Sequence, residues 1–271
     1  MGADDGNRGS DHAGAFDVLV PARFGSTRLP GKALADLGGT PMVVRVARRA
    51  ARAGARRVVV CTDDARIVAA CGAAGVESVL TSAAHATGTD RLAEACSILG
   101  LPGDAIVVNV QGDEPLMPPA IIESVAALLR ARTDCEIATA AHPLRDAAEF
   151  FNPNVVKVVV DHRDRALLFS RAPIPWARDA FAGGGRPAAL PPELPAWRHV
   201  GLYAYRVRFL LQYPRLPQVP IERLESLEQL RALWHGHGIV VARLREPLPP
   251  GVDTAEDLEA VRALIAAGAA A

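Results

Sequence analysis

Short runs of strand-forming residues alternate with helix-patterned segments through the first half of this 271-residue chain. That order constrains the fold more than any other feature, because strand–crossover–strand units build a mainly parallel sheet covered by helices. Residues 16–21 read as the first strand and residues 57–62 as the second. Between them Thr40 as N-cap, Pro41 at the first helical position and Gly54 as stop bracket an Arg/Ala-rich helix. A helix over 65–73, a strand over 77–80 and a helix over 90–99 follow, leading to the strand-like run 105–111. After a helix over 119–130 the pattern changes. The β-rich runs 136–142, 155–161 and 166–170 come with little helix between them, which points to antiparallel pairing. Strand 199–206, helix 222–234, strand 238–243 and a closing helix from Ala255 complete the chain, and residues 180–196 read from their Gly and Pro content as a surface loop not expected to be ordered.

Thirty basic side chains balance thirty acidic ones, so bulk charge advertises neither nucleic acid nor an anionic membrane, and any anion site must be local. Cys61, Cys71, Cys96 and Cys135 show no metal spacing, and a chain of this length needs no disulfides, so reduced thiols in the cytoplasm are expected. Residues 1–15 carry acids, Gly and Asn where a signal peptide would carry a basic start and an apolar run; they read as a disordered tail. No segment approaches the roughly 18 apolar residues of a membrane helix.

The segment PARFGSTRLPGK (21–32) leaves the first strand at its carboxyl end, where open α/β sheets bind ligands. Gly25 and Gly31 permit close backbone approach, Ser26 and Thr27 add donors, and Arg23, Arg28 and Lys32 supply three cations suited to a triphosphate; a solvated basic loop is the plainer reading. It is no Walker A loop, since Ala33 stands where the magnesium-binding hydroxyl belongs. VNVQGDEP (108–115) sets Asp113 and Glu114 just past a strand, either as turn residues or as carboxylates holding Mg²⁺ against phosphates. In PGVDTAED (250–257), Thr254 and Asp257 form a capping box, which leaves Asp253 without a local role and makes it a second metal carboxylate. HATGTDR (85–91) opens a helix, so Thr87, Thr89 and free backbone N–H groups can meet a nucleotide, with Asp90 as N-cap the alternative. Alternation in RHVGLYAYR (198–206) sends His199, Gly201, Tyr203 and Tyr205 to one sheet face, as a polar wall or an aromatic core. In LESLEQLR (224–231), Leu224, Leu227 and Leu230 form the core stripe, with Glu228 and Gln229 off it. His235 and His237 lack a third ligand for a metal.

In this order and at this spacing these motifs, with CTDDARI (61–67), FNPNVVKVV (151–159) and SRAPIPW (170–176), resemble the 3-deoxy-manno-octulosonate (Kdo) cytidylyltransferases from about residue 16 to 265. The resemblance implies a mixed, mainly parallel central sheet flanked by helices, of the nucleotide-diphospho-sugar transferase type. A smaller antiparallel part would serve dimerisation and sugar binding. Within one domain over 16–271, residues 16–134 would serve the nucleotide, 135–245 the sugar and the dimer, and 246–271 a metal Asp and the last helix. It also implies a cytoplasmic, Mg²⁺-dependent homodimer that converts CTP and Kdo to CMP-Kdo and pyrophosphate for lipopolysaccharide synthesis. By motif matching, Arg28, Lys32, Asp113 and Asp253 would be catalytic, the two aspartates holding the metal. Ala22, Arg23, Ser26, Thr87, Gly88, Thr89, Asp90, Arg91 and Gln111 would join Arg28 and Lys32 around the nucleotide. Gln111, Arg171, His199, Tyr203, Glu228 and Gln229 would contact the sugar acid, Arg171 at its carboxylate. Alternatives are a cytidylyltransferase for a sialic acid or an amino analogue of Kdo, and a non-catalytic nucleotide-binding protein on the same fold. A dinucleotide oxidoreductase is disfavoured because the first loop lacks G-x-G-x-x-G.

Overall fold

A central sheet runs in the order β3-β2-β1-β4-β8-β5-β9, with a β6–β7 hairpin attached through β8. These coordinates are a computed structural model that describes residues 15–25, 28–85, 87–183 and 187–268. The expected tail, up to residue 14, lies outside them. β1 (Asp17–Ala22) pairs in parallel with β2 (Arg57–Thr62) and β4 (Ile106–Asn109), and β2 with β3 (Glu77–Leu80). β8 (Trp197–Arg206) is antiparallel to β4 and to β5 (Ile137–Pro143), while β9 (Ile239–Arg243) is parallel to β5. Only β8 is therefore reversed along that path, and the sheet is mixed and mainly parallel as expected. The expected antiparallel pairing is realised in β6 (Lys157–Val160) with β7 (Ala166–Ser170), and in β8 against its neighbours.

Pleat alternation divides the core into two layers. Val18 and Val20 face α1 (Met42–Ala50), α2 (Ala65–Ala73) and α4 (Pro119–Ala131), whose Val43, Ile67 and Ile122 are fully buried. Leu19, Val107 and Tyr205 face α3 (Gly88–Ile98) and α6 (Val207–Gln212) through Leu92 and Phe209. A four-residue helix α5 (Ala147–Phe150) precedes the hairpin.

Several local expectations change. Pro41, with extended dihedrals, is the N-cap of α1, so the helix starts one residue later than the pattern suggested; it tightens into a 3₁₀ turn and stops at left-handed Gly54 as predicted. Thr87, not Asp90, caps α3: its hydroxyl accepts from Asp90 N at 3.1 Å and donates to the Asp90 carboxylate at 2.8 Å. The helix expected over 222–234 is two helices, α7 (Pro220–Glu225) and α8 (Gln229–Trp234), broken at Ser226 with φ 51°. The break turns Leu224 out to 87% exposure while Leu227 and Leu230 stay buried, so the stripe holds for two of its three leucines. Residues 180–196 are also less loose than their composition suggests. Phe181 and Ala196 are buried against Phe150, with Leu190 and Leu194 beside them; residues 184–186 lie outside the described set. α9 (Ala255–Ala266) begins with the predicted Thr254–Asp257 capping box and packs Leu258 and Val261 on Met42, Leu116 and Val252. No described helix is long and apolar enough to cross a membrane.

Candidate active site

The crossovers from β1 lead to β2 on one side, while β4 lies on the other, which leaves a crevice at the carboxyl ends of β1 and β4. A cleft of about 470 Å³ opens there. Its first wall comes from the segment after β1. Gly31 adopts φ 70°, a conformation that costs a glycine little, and so starts the 3₁₀ turn Lys32–Leu34 that carries Lys32 into the cleft. The second wall is the turn after β4, where Gly112 is required. A Cβ there would stand 2.9 Å from Pro21 O, so any side chain would push the turn and Asp113 away from β1. The third is the approach to α9, braced to the second by a hydrogen bond from Val252 N to Asp113 O at 2.8 Å.

Charge is concentrated where these walls meet. Lys32 Nζ donates to Asp113 Oδ2 at 2.6 Å, to Asp253 Oδ1 at 3.2 Å and to Val252 O at 3.0 Å, and Arg28 Nη2 donates to Asp253 Oδ1 at 3.0 Å. Glu114 lies behind them, its carboxyl pushed up to about 7 by burial and then by the charges of Asp113 and Asp253. Two carboxylates thus reach one cation, with a third acid behind them. Mg²⁺ uses one or two carboxylates and keeps water or phosphate oxygens for the rest, so Asp113 and Asp253 are a donor set that fits it.

The opposite wall is built by α3, β8 and the Ser226 break. Thr87, Gly88 and Thr89 open α3, and Thr89 Oγ1 donates to Glu228 Oε2 at 2.7 Å, which ties α3 to the break within this wall. Tyr213 OH holds the Glu228 backbone carbonyl at 3.2 Å. Glu228 has no cationic partner among the described residues, and a carboxylate accepts about four hydrogen bonds, so acceptor capacity remains for hydroxyl groups. Gln229 is 9% exposed and its Nε2 has no partner among the described residues. Arg91 also lines the cleft, but its guanidinium is tied to Thr81 Oγ1 at 2.6 Å and Asp63 Oδ2 at 2.7 Å.

Of the residues expected from the sequence, Ala22, Arg23, Arg28, Lys32, Thr87, Gly88, Thr89, Arg91, Gln111, Asp113, Tyr203, Glu228, Gln229 and Asp253 line this one cleft. Ser26 lies outside the described residues. Asp90 is not in the lining; it sits in the first turn of α3, bonded to the Thr87 cap. Arg171 and His199 are not in the lining. Arg171 Nε donates to Glu225 O at 2.6 Å and Nη1 to Pro153 O at 3.0 Å, which spends two of its five N–H donors on backbone carbonyls. His199 shares the sheet face of Tyr203, as alternation predicted, but two extra β8 residues opposite the Thr139/Ala140 step offset it toward Phe169. Its Nε2 meets Thr139 Oγ1 at 3.0 Å, and burial lowers its pKa to about 3. His85, Asn109, Tyr205 and Ser226 also line the cleft; each stands in a motif quoted from the sequence, Tyr205 on the face offered as a polar wall, but none is assigned to the site by that reading, and His85 sets Nε2 on Glu94 Oε2 at 2.5 Å. The β8 alternation signal was sufficient to find Tyr205.

A family model described as Cytidylyltransferase matches residues 18–240. A 3-deoxy-manno-octulosonate cytidylyltransferase of Leptothrix cholodnii is 60% identical over 252 residues, which cover 93% of this chain and 92% of that one. A solved CMP:2-keto-3-deoxy-manno-octonic acid synthetase complexed with CTP is 41% identical with a TM-score of 0.83, covering 94% of this chain and 99% of that one. A cytidylyltransferase from Leptospira borgpetersenii serovar Hardjo-bovis, at 17% identity and a TM-score of 0.59 over 94% and 88% of the two chains, shares the fold. This chain therefore belongs to the cytidylyltransferase family and, within it, to the 3-deoxy-manno-octulosonate cytidylyltransferases.

Proposed function

We propose that the cleft joins CMP from CTP to Kdo, with the triphosphate on the Arg23, Arg28 and Lys32 wall and the sugar acid on the wall of Tyr203, Glu228 and Gln229. The observation that carries this reading is one cavity in which a cation-and-carboxylate cluster faces an acceptor-rich polar wall. The anomeric hydroxyl attacks the α-phosphorus in line, the new O–P bond forms as the bond to pyrophosphate breaks, and the hydroxyl proton is released. Positioning and charge neutralisation supply most of the rate. Asp113 and Asp253 would hold Mg²⁺, which when bound adds positive charge against the phosphate oxygens. Lys32 and Arg28 then turn to the phosphates, Thr87 and Gly88 hold the nucleoside end, and Gln111 lies between the substrates. Glu228 orients sugar hydroxyls. Arg171 keeps one N–H on Nη1 and both on Nη2 for the sugar carboxylate. His199 acts from behind, fixing the Tyr203 ring. The enzyme works as a cytoplasmic homodimer in lipopolysaccharide synthesis, on the strength of the family it belongs to.

Pyrophosphate release measured with each of four nucleoside triphosphates against Kdo, its amino analogue and a sialic acid tests the reading. CTP with Kdo should exceed every other pair in kcat/KM by at least about tenfold. A preference for another nucleotide or another acid would displace the reading.

A further inference from the structure

Thr89 is the second residue of α3; it is 4% exposed and it lines the cleft. Motif matching sets it beside the nucleotide. Its hydroxyl carries one proton, and that proton goes to Glu228 Oε2 at 2.7 Å, so none is left to donate to a phosphate or a base. The bond is not needed to start the helix, because Thr87 already caps α3. The helix also fixes the donor. A β-branched side chain is stiff at χ1, and Leu92 and Ala93, one turn further along the same face, are buried.

Glu228 has use for such a donor. It stands at the N-cap of α8, yet its side chain makes no cap hydrogen bond there, and Tyr213 fixes only its backbone carbonyl. A glutamate side chain left to itself samples many rotamers, and holding it in one costs entropy whenever a ligand binds. A hydrogen bond from a rigid hydroxyl to an ionised oxygen meets that cost in the folded protein, before the sugar arrives. Oε2 is thereby engaged, which leaves Oε1 for the hydroxyls of the sugar.

Resting on the reading above, we infer that Thr89 is a positioning residue for the sugar acid: it sets the Glu228 carboxylate for the sugar hydroxyls, although it stands in the segment that meets the nucleotide. Thr89→Val keeps the shape and removes the donor. It should raise the KM for Kdo at least about tenfold and keep the KM for CTP within about twofold, while Thr89→Ser, which restores the hydroxyl, should bring the KM for Kdo to within about threefold of wild type. Because the effect runs through Glu228, Thr89→Val added to Glu228→Ala should change kcat/KM for Kdo by less than about twofold. If the valine variant does not fold, Thr89→Ala is measured in the same way. An unchanged KM for Kdo overturns the inference. So does a rise confined to CTP, which would return the hydroxyl to the nucleotide, or equal rises for both substrates with a lowered melting temperature, which would make the bond a brace of the fold. Full additivity with Glu228→Ala overturns it as well, since Thr89 would then act without Glu228. Failure of the underlying reading is visible separately, as a wild-type enzyme without Kdo-dependent turnover.

Discussion

Lys32 bridges two carboxylates, and a third, Glu114, lies close enough to be shifted by them. Removing the ammonium leaves the acids facing one another and takes a charge from the triphosphate wall. Lys32→Met should therefore lower kcat/KM for CTP by about two orders of magnitude or more, the scale of a lost charge-stabilising group, while the KM for Kdo changes little. Asp253→Asn should cut turnover on a similar scale with little loss of stability, because Asp253 is about half exposed. Steady-state kinetics with each substrate varied in turn, beside thermal melts, checks both; equal losses for CTP and Kdo would put Lys32 elsewhere. Single residues differ in how far the sequence exposes them. Asp253 could be singled out because the capping box after it explains its neighbours and not itself. The bond from Thr89 to Glu228 could not, since the two stand in separate motifs and nothing local to either points at the other.

The α7–α8 pair is where element-level reading fell short. Its leucine spacing supports one helix, yet the chain turns at Ser226. The Glu225 carboxylate accepts from Ser170 Oγ at 2.6 Å and Arg171 N at 2.9 Å, and these partners, more than fifty residues away in sequence, pull the end of α7 to β7. Such long-range bonds leave no mark in a local periodicity. The two helices are then locked by Arg231, whose guanidinium meets Glu222 through Nε at 2.8 Å and Nη2 at 2.5 Å, with exposures of 8% and 3%, and lies over the Tyr213 ring. Arg231→Met would strand a buried carboxylate and should cost about 3–5 kcal/mol of folding stability, read from denaturant unfolding. A loss under about 1 kcal/mol would mean that the pair is no more than a solvated surface bridge. Because α8 carries Gln229 and follows Glu228, the same variant should weaken Kdo more than CTP. By contrast, α2, β2, β3 and β7 fall on the residues their patterns indicated, since each is bounded by local turn chemistry.

At the scale of the whole molecule, alternation of strand and helix was enough to give the class, a mixed and mainly parallel sheet between helical layers. Short, helix-poor runs after residue 136 were enough to announce antiparallel strands there. What pattern alone did not carry is the insertion of reversed β8 between β4 and β5, which faces the Tyr203–Tyr205 row toward α3 and makes one cleft from two halves of the chain. On the proposed function, a nucleotide wall and a sugar wall share this one cavity, so that the α-phosphorus passes directly between them. The most direct measurement follows the fate of label from α-labelled CTP incubated with Kdo and Mg²⁺. All transferred label should appear in the sugar nucleotide, with one pyrophosphate released per labelled product and none formed without Kdo. Label released as free CMP at the same rate with or without Kdo would contradict a shared cavity, because water rather than the sugar hydroxyl would then be the group the site delivers to phosphorus.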